Sequence, residues 1–270
     1  MTKSFQKTAK IIQELQQPHP GIIDSENFNK HFELHCYKPS PDLQPFLVHL
    51  WVQRLHATPE HKPIEIASGP NIYLFFTPKS AFIHGVSKRE FNYDPFVKGA
   101  VAGVKFRPGG FYPFLKRPVC DLEPDITAVF PVDKVFREKL LNQPDEMIVT
   151  MLETMLRNKR PQGNKKLDLI TKILEALDND PSLQTVETIA RTFGLSERSL
   201  QMLFRTHVGV GLKWIIARRR LLGTISRMRT NPRCSWTNAA VELGYSSQSH
   251  FSREFSKTIG QPPSKHRHAS

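Results

Sequence analysis

Hydrophobic residues are spaced differently in the two halves of the chain. Between residues 32 and 131, short runs of aromatic and β-branched residues alternate with prolines and glycines. This pattern is typical of strands joined by turns. The clearest runs cover residues 46–52, 72–76 and 101–106. Across residues 130–157 the apolar residues recur at helical spacing, so we expect the β-rich part to end in one or two helices.

A change of pattern follows at residues 160–164, a polar stretch that contains one proline and one glycine. Beyond it, apolar residues recur only at helical spacing, as in Leu167, Ile170 and Ile173. The sequence therefore predicts an α+β protein of several domains. We place an N-terminal helical extension at residues 1–30, a β-rich regulatory domain at 31–160, a linker at 161–164 and an all-α domain at 165–270.

The all-α part contains an internal repeat. A serine, a large apolar residue, a phenylalanine, a β-branched residue and a glycine recur at an offset of 51 positions: Ser196, Leu200, Phe204, Val208 and Gly209, then Ser247, Phe251, Phe255, Ile259 and Gly260. Before each copy stand an alanine and a glycine four positions apart: Ala190 and Gly194, then Ala240 and Gly244. Such self-similarity indicates two copies of one structural unit.

Each position of the repeat has a mechanical reason. Glycine ends a first helix in the left-handed conformation, and serine caps the next helix. The three apolar residues then lie on one face of that helix, one turn apart. Helix, tight turn and capped second helix make up a helix-turn-helix, whose second helix can enter a DNA major groove. A plain helical bundle uses the same residues, but two copies in a basic segment favour nucleic-acid binding.

Positive charge is concentrated in the same half. The chain carries a formal net charge of +13. From residue 161 onwards there are 17 Lys and Arg against 8 Asp and Glu, whereas residues 1–160 hold 21 against 17. A basic domain joined to a domain with little net charge is typical of a phosphate-binding module attached to another domain. Charge alone does not show whether the anionic partner is DNA, RNA or a membrane surface.

Many residues of this segment match a known family, and the segment resembles the DNA-binding domain of AraC/XylS-type transcription regulators. The matching positions are Ile189, Ala190, residues 194–196, Leu200, Gln201, Phe204, Val208, Gly209, Arg220, Leu221, Gly244, Tyr245, residues 248–251, Arg253, Phe255 and residues 260–267. The resemblance implies seven helices, two helix-turn-helix units and a connecting helix near residues 212–229. About 18 residues at ~1.5 Å rise give ~27 Å, which with flanking turns approaches one turn of DNA, ~34 Å.

The outward faces of the two recognition helices give the predicted DNA-binding residues. These are Glu197, Arg198, Gln201, Met202, Arg205, Gln248, Ser249, His250, Ser252 and Arg253. Arginine and glutamine can form bidentate hydrogen bonds to guanine and adenine. Members of the family often carry arginine where Met202 stands, and Arg253 fills the equivalent place in the second unit. For Arg220, the resemblance implies a structural role.

The N-terminal half resembles a poorly characterised domain that precedes the DNA-binding domain in some AraC-type regulators. The matching pieces are residues 103–114, Tyr37, Pro39, residues 45–48 and Trp51. Analogy with the wider family implies a cupin-like domain that senses a ligand or mediates dimerisation. A tight turn is the favoured reading of residues 108–110, and an anion site formed by their backbone N–H groups is the alternative.

We expect a regulator whose partner is double-stranded DNA. RNA polymerase, a small-molecule effector and a second copy of the chain are further partners that this class allows. We expect no cofactor, no metal at His31 and His35, no membrane association and a cytoplasmic location. The alternative is a DNA-repair enzyme of the alkyl-acceptor type. Its zinc-bound thiolates need clustered cysteines, whereas Cys36, Cys120 and Cys234 are widely spaced, so we expect no enzyme activity.

Overall fold

The structure, a computed structural model, describes residues 32–55, 64–66, 69–86, 91–93, 99–159, 161–180, 182–230, 247–259 and 263. The strands are β1 (Phe32–Tyr37), β2 (Leu47–Leu55), β3 (Ile64–Ile66), β4 (Tyr73–Phe76), β5 (Ala81–His84), β6 (Phe91–Tyr93) and β7 (Ala100–Phe106). The helices are α1 (Tyr112–Leu115), a 3-10 turn (Val119–Asp121), α2 (Lys134–Leu141), α3 (Asp145–Arg157), α4 (Lys165–Asn179), α5 (Val186–Thr192), α6 (Glu197–Val208), α7 (Leu212–Thr230) and α8 (Gln248–Ile259). The predicted extension at residues 1–30 lies outside these ranges.

Five strands form an antiparallel sheet in the order β1-β2-β7-β4-β5, and β3 pairs with β6 in a two-stranded ribbon. The central strand β7 is buried along its whole length. Within it, Gly103 lies opposite Trp51 of β2. A Cβ atom at Gly103 would lie 2.3 Å from the Trp51 ring, so only glycine lets the indole cross the strand here. The β-rich prediction for this half is confirmed, whereas its cupin-like character stays a prediction.

One face of the sheet packs against helices and forms the larger core. Leu50, Leu74 and Val104 project from neighbouring strands into this core, where Ile148 and Leu152 of α3 also lie. A ring cluster that includes Phe106, Phe111 and Phe130 fills the space beside them. The two helices α2 and α3 confirm the helical reading of residues 130–157. Asp133 caps α2 by accepting from the Phe136 N–H at 2.7 Å.

The opposite face carries a smaller aromatic cluster around Cys36, Trp51 and Phe75. Lys105 is buried next to it, with Nζ 5.6 Å from the centre of the Tyr73 ring. Burial away from water disfavours the ammonium charge and lowers the pKa of Lys105. This face therefore combines aromatic rings with a buried cationic group.

From Lys165 onwards the described chain is helical. Asn164 begins α4 by accepting from the N–H groups of Lys166 and Leu167, each at 3.0 Å. Residues 161–164 form no helix or strand, and the exact division into domains stays a prediction. The predicted first helix of the second unit, with Ala240 and Gly244, lies outside the described residues.

Candidate nucleic-acid interface

The first helix-turn-helix consists of α5, a tight turn and α6. A reciprocal pair of hydrogen bonds between Thr185 and Thr188 caps the start of α5. After α5, Gly194 adopts φ +63°, the left-handed conformation predicted for it. Ser196 then caps α6, because its Oγ accepts from the Ser199 N–H at 3.1 Å. The predicted turn glycine and capping serine of the first unit are therefore confirmed.

The two recognition helices, α6 and α8, bury equivalent side chains. Leu200 and Phe204 of α6 are fully buried, as are Phe251 and Phe255 of α8. At the start of α8, Ser247 Oγ accepts from the His250 N–H at 3.1 Å, which repeats the cap of α6. The alignment of the two units is confirmed at these positions.

The outward faces of α6 and α8 are open to solvent. Nine of the ten predicted DNA-binding residues are exposed, namely Glu197, Arg198, Gln201, Met202, Arg205, Gln248, Ser249, His250 and Arg253, while Ser252 is half-buried. Met202 has 57% of its surface exposed, so its side chain is accessible to an apolar contact. In the part of the chain that the structure describes, Arg198 and Arg205 form no ion pair. Both guanidinium groups are therefore free to meet phosphates or bases.

Arg253 and Gln201 also contact other groups of the protein. Arg253 Nε donates to the Ser249 carbonyl at 3.3 Å, which holds the stem of the side chain along α8. Gln201 lies over the turn after α6, because a Cβ atom on Gly211 would be 3.0 Å from Gln201 Oε1. The amide of Gln201 has to leave that turn before it can reach a base edge.

The connecting helix α7 has 19 residues, and at ~1.5 Å per residue it spans ~28 Å. Its apolar side lies in the core, with Leu212 and Ile215 fully buried. Three consecutive arginines follow, and all three are engaged within the domain. Arg218 is buried with its guanidinium 6.0 Å from the Trp214 ring, and burial lowers its pKa to about 10.

The other two arginines of α7 bind polar groups of the neighbouring segment. Arg219 forms an ion pair with Asp178 at the end of α4. Arg220 donates to both the carbonyl and the side-chain oxygen of Gln184, at 2.7 and 3.0 Å. The structural role predicted for Arg220 is confirmed.

A contact between the two halves was not predicted from the sequence. The rings of Tyr112 in α1 and His207 in α6 lie 4.1 Å apart at 30°. His207 is only 3% exposed, and its Nδ1 donates to the Leu203 carbonyl at 3.1 Å. Burial disfavours the imidazolium and lowers the pKa of His207. The C-terminal end of the first recognition helix is thus held against the N-terminal half.

Two glycines allow the N-terminal half and the helical half to approach each other closely. Gly209 ends α6 with φ +96°, and a Cβ atom there would lie 3.1 Å from Val119 Cγ1. Gly109 belongs to the 108–110 turn, which the structure confirms, and its Cβ position lies 3.1 Å from Ile170 Cδ1 of α4. We call Tyr112, Val119, His207 and Gly209 the interdomain seam.

The two described cysteines lie in different surroundings. Cys36 is buried beneath aromatic rings, whereas Cys120 is exposed in the 3-10 turn; Cys234 lies outside the described ranges. Within those ranges, no three His, Cys, Asp or Glu side chains are grouped so that they could hold a metal ion. Of the helices described there, none combines the length and apolar character of a membrane span.

Comparison with known families gives two matches along the chain. Residues 189–269 match the family model of a Helix-turn-helix domain, which includes α6, α7 and α8. Residues 35–126 match a Domain of unknown function (DUF6597), which includes the five-stranded sheet and the Tyr112 and Val119 side of the seam.

The similar proteins with assigned roles are transcription regulators. The chain is 37% identical over 101 residues to regulatory protein SoxS of Escherichia coli K12, a match that covers 37% of this chain and 91% of SoxS. It is 38% identical over 84 residues to the HTH-type transcriptional regulator YkgA of the same strain, covering 31% of this chain and 35% of YkgA. A crystal structure of ToxT from Vibrio cholerae O395 aligns with a TM-score of 0.35 and 17% identity, covering 74% of this chain and 85% of ToxT. The chain belongs to the AraC/XylS family of DNA-binding transcription regulators.

Proposed function

We propose that the chain recognises a specific DNA sequence by placing α6 and α8 in two successive major grooves. The observation that carries this proposal is the matched pair of capped helices, each with one buried face and one exposed polar face. The connecting helix α7, ~28 Å long, suits two grooves that lie about 34 Å apart along one side of the duplex. Because its partner is duplex DNA, we expect the protein to act in the cytoplasm.

The exposed side chains divide into two groups by what they can bind. Arg253 is the strongest candidate for base reading, since a guanidinium can bond both O6 and N7 of guanine. Arg205, in the last turn of α6, is better suited to a phosphate. Met202 offers no hydrogen-bond donor, so its contact with a base would be apolar, as with a thymine methyl group. The two helices would then read their half-sites by different chemistry.

The N-terminal half would regulate DNA binding through the interdomain seam. Tyr112 and Val119 contact the same end of α6 that carries Arg205. Any change in the N-terminal half that moves α1 or the 3-10 turn would therefore change the position of the recognition helix α6. A ligand or a second copy of the chain could cause such a change. RNA polymerase as a partner stays a prediction.

The test is binding of the full chain to duplex DNA, measured by fluorescence anisotropy at several salt concentrations. Lys and Arg release counterions from phosphates, so the affinity should fall steeply with salt. Arg205→Ala should lower the slope of log affinity against log salt by about 1. Lys172→Ala is the control, because Lys172 is an exposed cation on α4, outside both units.

Two outcomes would contradict the proposal. The first is a folded chain that shows no salt-dependent binding to duplex DNA. The second is equal affinity for every duplex tested, since that result would indicate a general DNA-packaging protein. If Arg205→Ala changes the slope of log affinity against log salt no more than Lys172→Ala does, Arg205 does not contact a phosphate.

A further inference from the structure

An open cleft of about 460 Å³ lies in the N-terminal half, away from the recognition helices. The end of β2, the start of β7, the helix α2 and the loop that follows α2 form its walls. Arg54 and Arg137 line it together with the apolar side chains of Pro78, Ala100 and Leu141. The lining is mixed, since Arg54, Arg137, Glu138, Asn142 and Gln143 add polar groups to the apolar side chains.

Arg137 is the group in this cleft that lacks a partner. Its Nε is buried and has no hydrogen-bond acceptor in the part of the chain that the structure describes. In the same part no carboxylate forms an ion pair with Arg137, whereas Arg157 is paired with both Asp42 and Glu153. A buried donor without an acceptor is unfavourable. An anionic ligand in the cleft would pair with the charge of this guanidinium, with which no carboxylate of the described residues pairs.

Arg54, by contrast, is held in place by the protein. Its Nε donates to Asp145 Oδ1 at 3.2 Å, and its Nη2 donates to the Gln143 carbonyl at 3.4 Å. Asp145 also accepts a hydrogen bond from the Tyr37 hydroxyl at 2.9 Å, so its charge is shared within this network. Arg54 therefore forms a fixed wall of the cleft, and of the two described cations that line it Arg137 is the one with which no described carboxylate pairs.

Glu138 is the one acidic side chain that lines the cleft among the described residues. Its carboxylate lies 3.8 Å from Lys134 Nζ, one turn earlier on α2, and it is largely exposed. Glu138 is thus directed to Lys134, and within the described ranges no carboxylate compensates the charge of Arg137. The cleft is accordingly suited to an anion with an apolar body, which would lie along Pro78, Ala100 and Leu141.

We propose that this cleft binds a small organic acid and that Arg137 is the residue that anchors its carboxylate. A guanidinium can donate two parallel hydrogen bonds to one carboxylate, which gives the site both affinity and orientation. A carboxylate fits better than a phosphate, because phosphate sites usually gather several cations or backbone N–H groups. The inference rests on the proposed regulatory function in one respect: the organic acid would be the effector that regulates DNA binding.

The experiment is isothermal titration calorimetry of the full chain with acetate, hexanoate, benzoate and inorganic phosphate. Hexanoate or benzoate should bind with one site per chain and more tightly than acetate, because each adds apolar contact. Arg137→Gln should weaken this binding ~10-fold or more, the effect expected from losing a charged hydrogen bond. Arg137→Lys keeps the charge but loses the planar fork, and should give an intermediate loss.

Lys139→Gln is the matched control, since it removes one exposed cation from the same helix and should leave binding unchanged. Circular dichroism of each variant checks that it folds. The proposal is wrong if no carboxylate binds at millimolar concentration, if phosphate binds most tightly, or if Arg137→Gln and Lys139→Gln behave alike. DNA affinity measured on the same samples keeps the two proposals separate, because loss of DNA binding would leave the calorimetric result intact.

Discussion

Replacing Gly209 by alanine should weaken the interdomain seam. Gly209 has φ +96°, a conformation that side-chain-bearing residues rarely adopt. A Cβ atom there would lie 3.1 Å from Val119 Cγ1 and 3.5 Å from the Val119 carbonyl oxygen. The substitution therefore combines a backbone penalty with crowding between the two halves.

Gly194 separates these two penalties. It also has a positive φ, +63°, but no atom lies within 4 Å of its Cβ position. Alanine at Gly194 should cost the left-handed conformation alone, about 1–2 kcal/mol. Alanine at Gly209 should cost that amount and a further ~1–3 kcal/mol from overpacking against Val119.

The assay is urea unfolding of the full chain carrying Gly209→Ala, Val119→Ala or both substitutions. If Val119 Cγ1 causes the crowding, Val119→Ala should recover part of the loss, with a coupling of ~0.5–3 kcal/mol in the double-mutant cycle. The reasoning is refuted if the coupling is zero and Gly209→Ala costs no more than Gly194→Ala.

Three further predictions concern the helices themselves. Phe204→Ala and Phe255→Ala should each lower the free energy of unfolding by roughly 3–5 kcal/mol, measured by urea titration, since both rings are fully buried; losses below ~1 kcal/mol would contradict the equivalent burial of the two rings. Arg253→Ala should relax base preference at one or two positions in a binding-site selection, while Met202→Ala should leave the motif almost unchanged, and the opposite pattern would reverse their roles. Because burial lowers the pKa of His207, the unfolded state binds the proton more readily, so stability should fall as pH drops below about 6.5. His207→Gln should reduce the difference between the urea unfolding midpoints at about pH 5.5 and about pH 7.5. If that difference is unchanged, His207 does not cause the loss of stability at low pH.

The helix-turn-helix units could be predicted from sequence because their signals are local. A turn glycine and a capping serine act within a few residues, and buried residues one turn apart fix which face points outward. Gly194, Ser196 and Phe204 therefore take the conformations and burial that the repeat predicts. The roles of the outward residues in DNA binding stay predictions, since exposure shows availability and not contact.

The interdomain seam could not be predicted, because its partners are far apart in the chain and share no pattern. In sequence His207 is a polar residue near the end of a helix, and nothing local indicates that a tyrosine ring covers it. Arg218 is a similar case. Within a run of three arginines it suggests a cationic surface, yet the fold buries it beside Trp214. Tertiary packing decides both cases.

Selection of bound duplexes from a random library by the full chain tests the central claim most directly. The account predicts one enriched motif with two half-sites whose centres lie about 10–10.5 base pairs apart, one for each recognition helix. The half-site read by α8 should include a guanine that Arg253 can bond. A folded chain that enriches no motif, or a single half-site without a partner at that spacing, would contradict the account.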